Sequence, residues 1–205
     1  MNDILEIAAA NQQRAREVIR DSGLEAAWRS VGAEPNLVGS LRTGLLMTHR
    51  DIDFHIYSSP LRLADSFAAM ARLAENSRIR SITFNNLLDA PDQCLEWHAW
   101  YADADDQLWQ IDMIHMPRGS AYDGYFERVA DRIAAVLTDR TRETILRLKY
   151  ETPEAEKIMG IEYYQAVLRD GVGTYTEFEA WRAAHPVTGL SLIHISEPTR
   201  LRCIS

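Results

Sequence analysis

Cysteine is almost missing from this chain: Cys94 and Cys203 are the two among 205 residues. That count excludes a disulfide framework and a zinc knuckle. No apolar run reaches the ~18–20 residues of a membrane span. The opening residues, Met1-Asn2-Asp3-Ile4-Leu5-Glu6, lack the basic and apolar regions of a leader, so a cytoplasmic protein is expected. Positive charge is also short. Lys+Arg number 22 against 30 Asp+Glu, a net charge of -8, with no dense basic run. Nucleic-acid binders gain most of their affinity by neutralising phosphates, so a long DNA or RNA partner is not expected. A nucleotide held through metal ions is compatible, because the metals carry the positive charge. What is abundant is ordinary globular composition, 46% hydrophobic and 25% charged, which excludes disorder, collagen and a coiled-coil rod.

The end of the chain stands apart. Leu190-Ser191-Leu192-Ile193-His194-Ile195-Ser196-Glu197-Pro198-Thr199-Arg200 resembles the conceptual translation of a transposase-type sequencing-library adapter. Leu201-Arg202-Cys203 would then be an index barcode, and Ile204-Ser205 the start of a primer. Residues 190–205 are therefore set aside as adapter-derived. Cys94 is then the single cysteine, and the natural chain is expected to run on past Gly189.

Periodicity organises the rest. Asp3 to Asp21 and Leu24 to Val31 read as helices, each closed by glycine. A short strand at Leu37-Val38 stops at Gly39-Ser40, and a short helix is expected over Leu41 to Leu46. Asp51-Ile52-Asp53-Phe54-His55-Ile56-Tyr57 alternates at period two, the mark of a half-buried strand. A helix over Leu61 to Ala74, a strand over Ile79 to Phe84, and a hairpin of Leu95–Tyr101 and Leu108–Met116 follow. Beyond Pro117-Arg118-Gly119-Ser120 the pattern turns helical over 122–151, 154–169 and 177–184. Thr174 and Thr176, each with Glu three residues on, are candidate capping boxes. The expected architecture is α/β (α+β): a small mixed sheet flanked by helices over 1–119, then a helical subdomain over 120–189.

One constellation carries chemistry. Asp51 and Asp53 share a strand face while Ile52 and Phe54 point to the core, so the two carboxylates form a pincer for a hard divalent cation. Asp112, between Ile111 and Met113, adds a third carboxylate if its strand lies beside the first. Three such acids repel unless cations sit between them. Gly39 permits close backbone approach, and Ser40 offers hydroxyl and N–H donors to phosphate oxygens at the start of a short helix. Arg42, Thr43 and Arg50 are candidate further donors. A phosphate cradle facing a two-metal carboxylate site is the apparatus for in-line attack on a nucleoside triphosphate.

Val38-Gly39-Ser40, Asp51-Ile52-Asp53-Phe54 and the later Asp112 resemble the signature of the polymerase-β-like nucleotidyltransferase superfamily over roughly residues 30–116. Gly44 falls where many small members have glycine. Thr48-His49-Arg50-Asp51-Ile52-Asp53 is similar to lincosamide-type antibiotic nucleotidyltransferases, although many relatives carry Ser where Arg50 stands. The resemblance implies that Asp51 and Asp53 bind both metals (Mg²⁺ or Mn²⁺). It also implies that Asp112 binds the catalytic one and serves as base. The implied reaction moves a nucleoside monophosphate from an NTP such as ATP to a hydroxyl of a small molecule or protein. Two alternatives stand beside it: a non-catalytic regulatory or toxin–antitoxin module, and a sugar-nucleotide glycosyltransferase. The latter would need neither the Gly-Ser corner nor a third strand acid. His55 shares the carboxylate face, as a substrate contact or as a structural hydrogen-bonder. His98 and His115 are expected to be structural. Lys149, with Arg147 and Lys157, is expected on a solvated helix face.

Overall fold

The computed structural model describes residues 3–91 and 93–185; the adapter-like tail and 186–189 lie outside that range. Five strands form its centre: β1 (Glu34–Leu37), β2 (Asp51–Ser58), β3 (Ile79–Leu87), β4 (Cys94–Ala102) and β5 (Leu108–Pro117). They pair in the order β1-β2-β5-β4-β3, with β2 and β5 parallel and the other neighbours antiparallel. The mixed α/β class expected from the sequence holds. β1 starts three residues earlier than expected and takes in Pro35, which a strand at the sheet edge tolerates.

Period-two alternation gives the sheet two unlike faces. Along β2, Ile52 and Phe54 are sealed while Asp51 and Asp53 stay half-buried; along β5, Ile111 and Met113 are sealed while Gln110 and Asp112 are not. Two helices, α2 (Leu24–Arg29) and α4 (Leu63–Ala74), cover the apolar face. Trp28, Met70 and Leu73 join Ile52, Phe54, Trp97, Ile111 and Met113 in one core. Each such side chain contributes roughly 1.5–3 kcal/mol on burial. A one-residue slip of β2 would drive both of its acids into that core, so the register is firmly specified. His115, fully buried behind the sheet, lies 2.7 Å from Ser58 Oγ and 3.1 Å from Ser66 Oγ, a structural position. Burial pushes its pKa down to about 4.

A second core is helical. It is built from α5 (Tyr125–Val136), α6 (Asp139–Glu151), α7 (Gly160–Tyr164) with a π-helical turn at Gln165–Arg169, and α8 (Tyr175–Ala184). Ile145, Leu148, Tyr163, Phe178 and Trp181 pack there with Leu45, Met47 and Ala8. Ala8 lies on α1 (Ile4–Ser22), whose other half sends Ala15 and Val18 to the sheet's core. The helix expected over 122–151 divides, because Leu137 is extended and Thr138 caps α6 in a box with Thr141. The one expected over 154–169 starts only at Gly160. Of the two candidate capping boxes, Thr174 forms one: its hydroxyl accepts from Glu177 N–H at 3.3 Å, and its own N–H donates to Glu177 at 3.0 Å.

Candidate active site

The parallel pairing of β2 with β5 sets Asp53 opposite Asp112 and Asp51 opposite Gln110. All three acids line a cleft of about 620 Å³ between the sheet's polar face and the helical half. The two acids of β2 have no hydrogen-bond partner among the described residues, and Asp51 Oδ1 is buried without one. Burial, and then the charges of Asp51 and Asp112, push the Asp53 carboxyl up to about 8, with Lys149 acting against the rise. Asp112 is held differently. Its Oδ1 lies 2.6 Å from His98 Nδ1 and accepts from Gln110 Nε2 at 2.8 Å.

The Gly39-Ser40 corner closes onto the same acids. Val38 N–H donates to the Asp53 carbonyl at 2.9 Å, tying the corner to β2. Gly39 has φ +67°, and a Cβ on it would fall 1.9 Å from Asp53 Oδ2, so no other residue fits. The helix expected to run to Leu46 is a single turn, α3 (Gly39–Arg42). Gly44, with φ +71°, ends the helical path, and Leu45, Leu46 and Met47 turn inward as a buried loop. Buried carbonyls need donors, and side chains from two helices supply them. Asn11 donates to Met47 O (2.9 Å), and Gln12 to Gly44 O (3.1 Å) and Leu46 O (3.2 Å). From α6, Arg142 donates to Gly44 O (3.0 Å) and Lys149 to Leu45 O (2.9 Å).

Ser40, Thr43 and Arg50 line the cleft beside Gly39, but the Thr43 hydroxyl donates back to Ser40 O at 3.0 Å and so is not the free donor expected. Arg42 does not line it. It is drawn to Asp131 of α5 at 2.8 Å and donates to Leu37 O at 3.1 Å, so it is engaged away from the acids. Lys149 corrects the expectation of a solvated face. It is buried in the cleft wall, its Nζ 5.7 Å and 5.4 Å from the ring centres of Tyr163 and Tyr164. The sequence held a signal for this: Lys149 follows Ile145 at i+4 on the stripe of α6 that faces the core.

His98, expected to be structural, makes its hydrogen bond inside the cleft. It stands beside Asp112 in the β4–β5 register and lines the cleft. The hydrogen bond to Asp112 leads the causes that hold its pKa above the usual range, despite burial. The observed loop between the paired positions is 103–107, which sets 98 opposite 112; counted from the shorter turn expected at 103–106, position 98 would have faced 111, so the sequence alone did not give this neighbour. Glu96, buried on the same face of β4, lies 3.3 Å from His98 Nε2 and accepts from Asn85 at 2.8 Å. His55 lies deeper in the cleft, its ring edge-on to Phe126 at 4.3 Å and its Nδ1 without a partner. Burial pushes its pKa down to about 3, which keeps it neutral.

The donor set suits a hard divalent cation. Among the described residues no three His, Cys, Asp or Glu side chains, Asp51, Asp53 and Asp112 included, are gathered closely enough to hold a metal ion by themselves. Mg²⁺ rarely takes an all-protein cage; it pairs one or two carboxylates with water and substrate phosphates. Two unpartnered carboxylates on one strand, a buried bare oxygen on Asp51 and a raised Asp53 pKa are what such a shared site leaves when described by its protein side alone.

Comparison with known proteins speaks to the fold. No protein-family model and no curated protein matches the chain. Among solved structures, a cytoplasmic RNA terminal U-transferase superposes with a TM-score of 0.52 at 14% identity, over 78% of this chain and 47% of that one. The Cid1 poly(U) polymerase in its MgGTP-bound form gives 0.57 at 14%, over 78% and 50%. The poly(A) polymerase complex GLD-2–GLD-3 gives 0.54 at 12%, over 98% and 65%. The chain therefore has the nucleotidyltransferase fold of these polymerases. It spans about half the length of the uridylyl-transferring chains it matches.

Proposed function

We propose that this chain is a divalent-metal-dependent nucleotidyltransferase that moves a nucleoside monophosphate from an NTP to a hydroxyl of a small molecule or protein. The observation that carries this reading is the parallel β2–β5 register, which lines up Asp53 with Asp112 on the open face of the sheet. The glycosyltransferase alternative required neither that third acid nor the Gly39 contact with Asp53. Asp51, Asp53 and Asp112 would hold Mg²⁺ or Mn²⁺. When bound, the cations lower the acceptor hydroxyl's pKa and neutralise triphosphate charge. Asp112, as one of the carboxylates on the cation nearer the acceptor, would be the candidate to take the hydroxyl proton. The Gly39-Ser40 corner, with Arg50, would face the departing pyrophosphate, and Lys149 would add a cation in the opposite wall.

Charge supports the choice of acceptor. The matched U-transferase acts on RNA, as its name states. In the present cleft, Arg50, Lys149 and Lys157 are the Lys and Arg residues of the lining, against Asp51, Asp53, Glu96 and Asp112. A polyanionic strand gains little from such a surface. Isothermal titration with non-hydrolysable analogues of the four NTPs, with and without Mg²⁺, tests the donor side. Metal-dependent binding that disappears in Asp51→Asn/Asp53→Asn is expected. No binding by any analogue to folded protein would instead favour the non-catalytic module. Transfer of label to an RNA 3′ end in preference to small hydroxylated acceptors would overturn the acceptor assignment.

A further inference from the structure

The three acids of the cleft are not held alike. Asp51 and Asp53 have no side-chain partner among the described residues, whereas both hydrogen bonds that Asp112 accepts fall on one oxygen, Oδ1. One donor is Gln110, two residues earlier on β5; the other is the imidazole of His98, opposite Asp112 in the β4–β5 register. With Oδ1 taken, Oδ2 is the oxygen left without a partner. Behind the imidazole, its Nε2 lies 3.3 Å from Oε1 of the buried Glu96 carboxylate, a charge contact without a hydrogen bond, and Glu96 Oε2 accepts from Asn85 across β3–β4 at 2.8 Å. A chain of four side chains therefore runs across three strands and ends at the third acid.

We propose that His98 is a positioning residue. It fixes the rotamer of Asp112 so that a single oxygen, Oδ2, is offered to the cation nearer the acceptor, and Glu96 fixes His98. The inference rests on the nucleotidyltransferase reading of the cleft. It adds a division of labour within that reading. The Asp51–Asp53 pair is free to adapt around a metal that arrives with the triphosphate. Asp112 is set in advance for a cation that must be placed relative to the attacking hydroxyl. An orienting partner of this kind typically changes metal affinity or activity by ~10–100-fold.

The imidazole offers a clean dissection, because its two nitrogens have different partners. In His98→Asn the amide nitrogen takes the place of Nδ1 and can still donate to Asp112. In His98→Gln it falls nearer the place of Nε2, toward Glu96. His98→Leu has neither donor. The full chain and each variant would be titrated with Mn²⁺ at saturating non-hydrolysable NTP analogue, following free Mn²⁺ by electron paramagnetic resonance. Analogue affinity would be measured by calorimetry and folding by thermal melts.

Two Mn²⁺ sites are expected in the wild-type chain. His98→Leu and His98→Gln should weaken one of them ~10–100-fold and leave analogue affinity within ~3-fold, while His98→Asn stays near wild type. Asp112→Asn should lose the same site that His98→Leu weakens. Equal weakening by Asn, Gln and Leu would overturn the positioning role, as would no weakening by any. Collapse of analogue binding and melting temperature together in all three variants would also overturn it, as the mark of a purely structural histidine. Failure of the nucleotidyltransferase reading looks different: the wild-type chain itself would show no Mn²⁺-dependent analogue binding.

Discussion

The two walls of the cleft are built on different rules. On the sheet wall the position of each acid follows from strand register. Asp51 and Asp53 alternate with sealed residues, and one parallel pairing brings Asp112 alongside. The helical wall presents Lys149, Tyr163 and Tyr164 among aliphatic neighbours such as Ile133 and Ile161. There, placement depends on long side chains that reach across to another element, as Lys149 reaches the Leu45 carbonyl. The anionic half is thus fixed by a local pattern, and the cationic half by a contact made 104 residues away in the chain.

The sharpest way to break that contrast is Asp53→Asn. Burial and the neighbouring Asp51 and Asp112 raise the Asp53 carboxyl to about 8, so folding disfavours its ionised form; an amide carries no such cost, and the melting temperature should rise by about 2–4 °C, the equivalent of ~1 kcal/mol for a chain of this size. The same change should abolish Mg²⁺-dependent NTP-analogue binding, a loss above ~100-fold. Calorimetric melts and titrations on one sample check both, and a lower melting temperature would contradict the repulsion. Lys149→Met tests the other wall. It leaves the Leu45 carbonyl unpaired and removes the cation, so about 1–3 kcal/mol of stability in urea and ~10-fold in analogue affinity should go.

The sealed side of the sheet offers a third test, through pH. His115 has a folded pKa below its unfolded value of 6.5, so the stability it contributes is complete above pH 6.5 and is lost as pH falls toward about 4. Urea midpoints at pH 7 and pH 5 should differ, by at most about 1.4 kcal/mol per pH unit from this group. The difference should shrink in His115→Asn. The smallest effect belongs to Arg42→Ala. Because Arg42 is bound to Asp131, analogue affinity should change by less than ~2-fold, and a drop of ~10-fold would return that side chain to the cleft.

Much of the sheet wall was legible from the sequence. The strand of Asp51 and Asp53, the hairpin that delivers Asp112, and the glycine needed beside the acids could all be read from alternation, a turn and a spacing. The failures share a cause. Arg42 was read as a phosphate donor because it lies three residues after Gly39, but its partner Asp131 is 89 residues on. A lysine on a charged helix is ordinarily solvated; the stripe that Lys149 shares with buried Ile145, and the rings of Tyr163 and Tyr164 beside it, put it in the cleft wall instead. The helix through Leu46 failed because the buried carbonyls after Gly44 find donors outside their own segment. His98 lay between these cases. The hairpin was legible but its loop is one residue longer than the expected turn, and that one residue decides whether His98 faces Asp112 or Ile111.

The buried loop from Gly44 to Met47 has a consequence for how this molecule can change. Its four carbonyls are held by Asn11 and Gln12 from the first helix and by Arg142 and Lys149 from the sixth. The segment leading into the strand of Asp51 and Asp53 is therefore clamped by a helix that precedes the sheet and by one that follows it. A chimera that replaced everything after β5 with a foreign helical cassette would strip two of those donors at once, and the strand's approach would loosen. New specificity is accessible here by exchanging single residues in the cleft wall, while wholesale transplantation of the helical half is not.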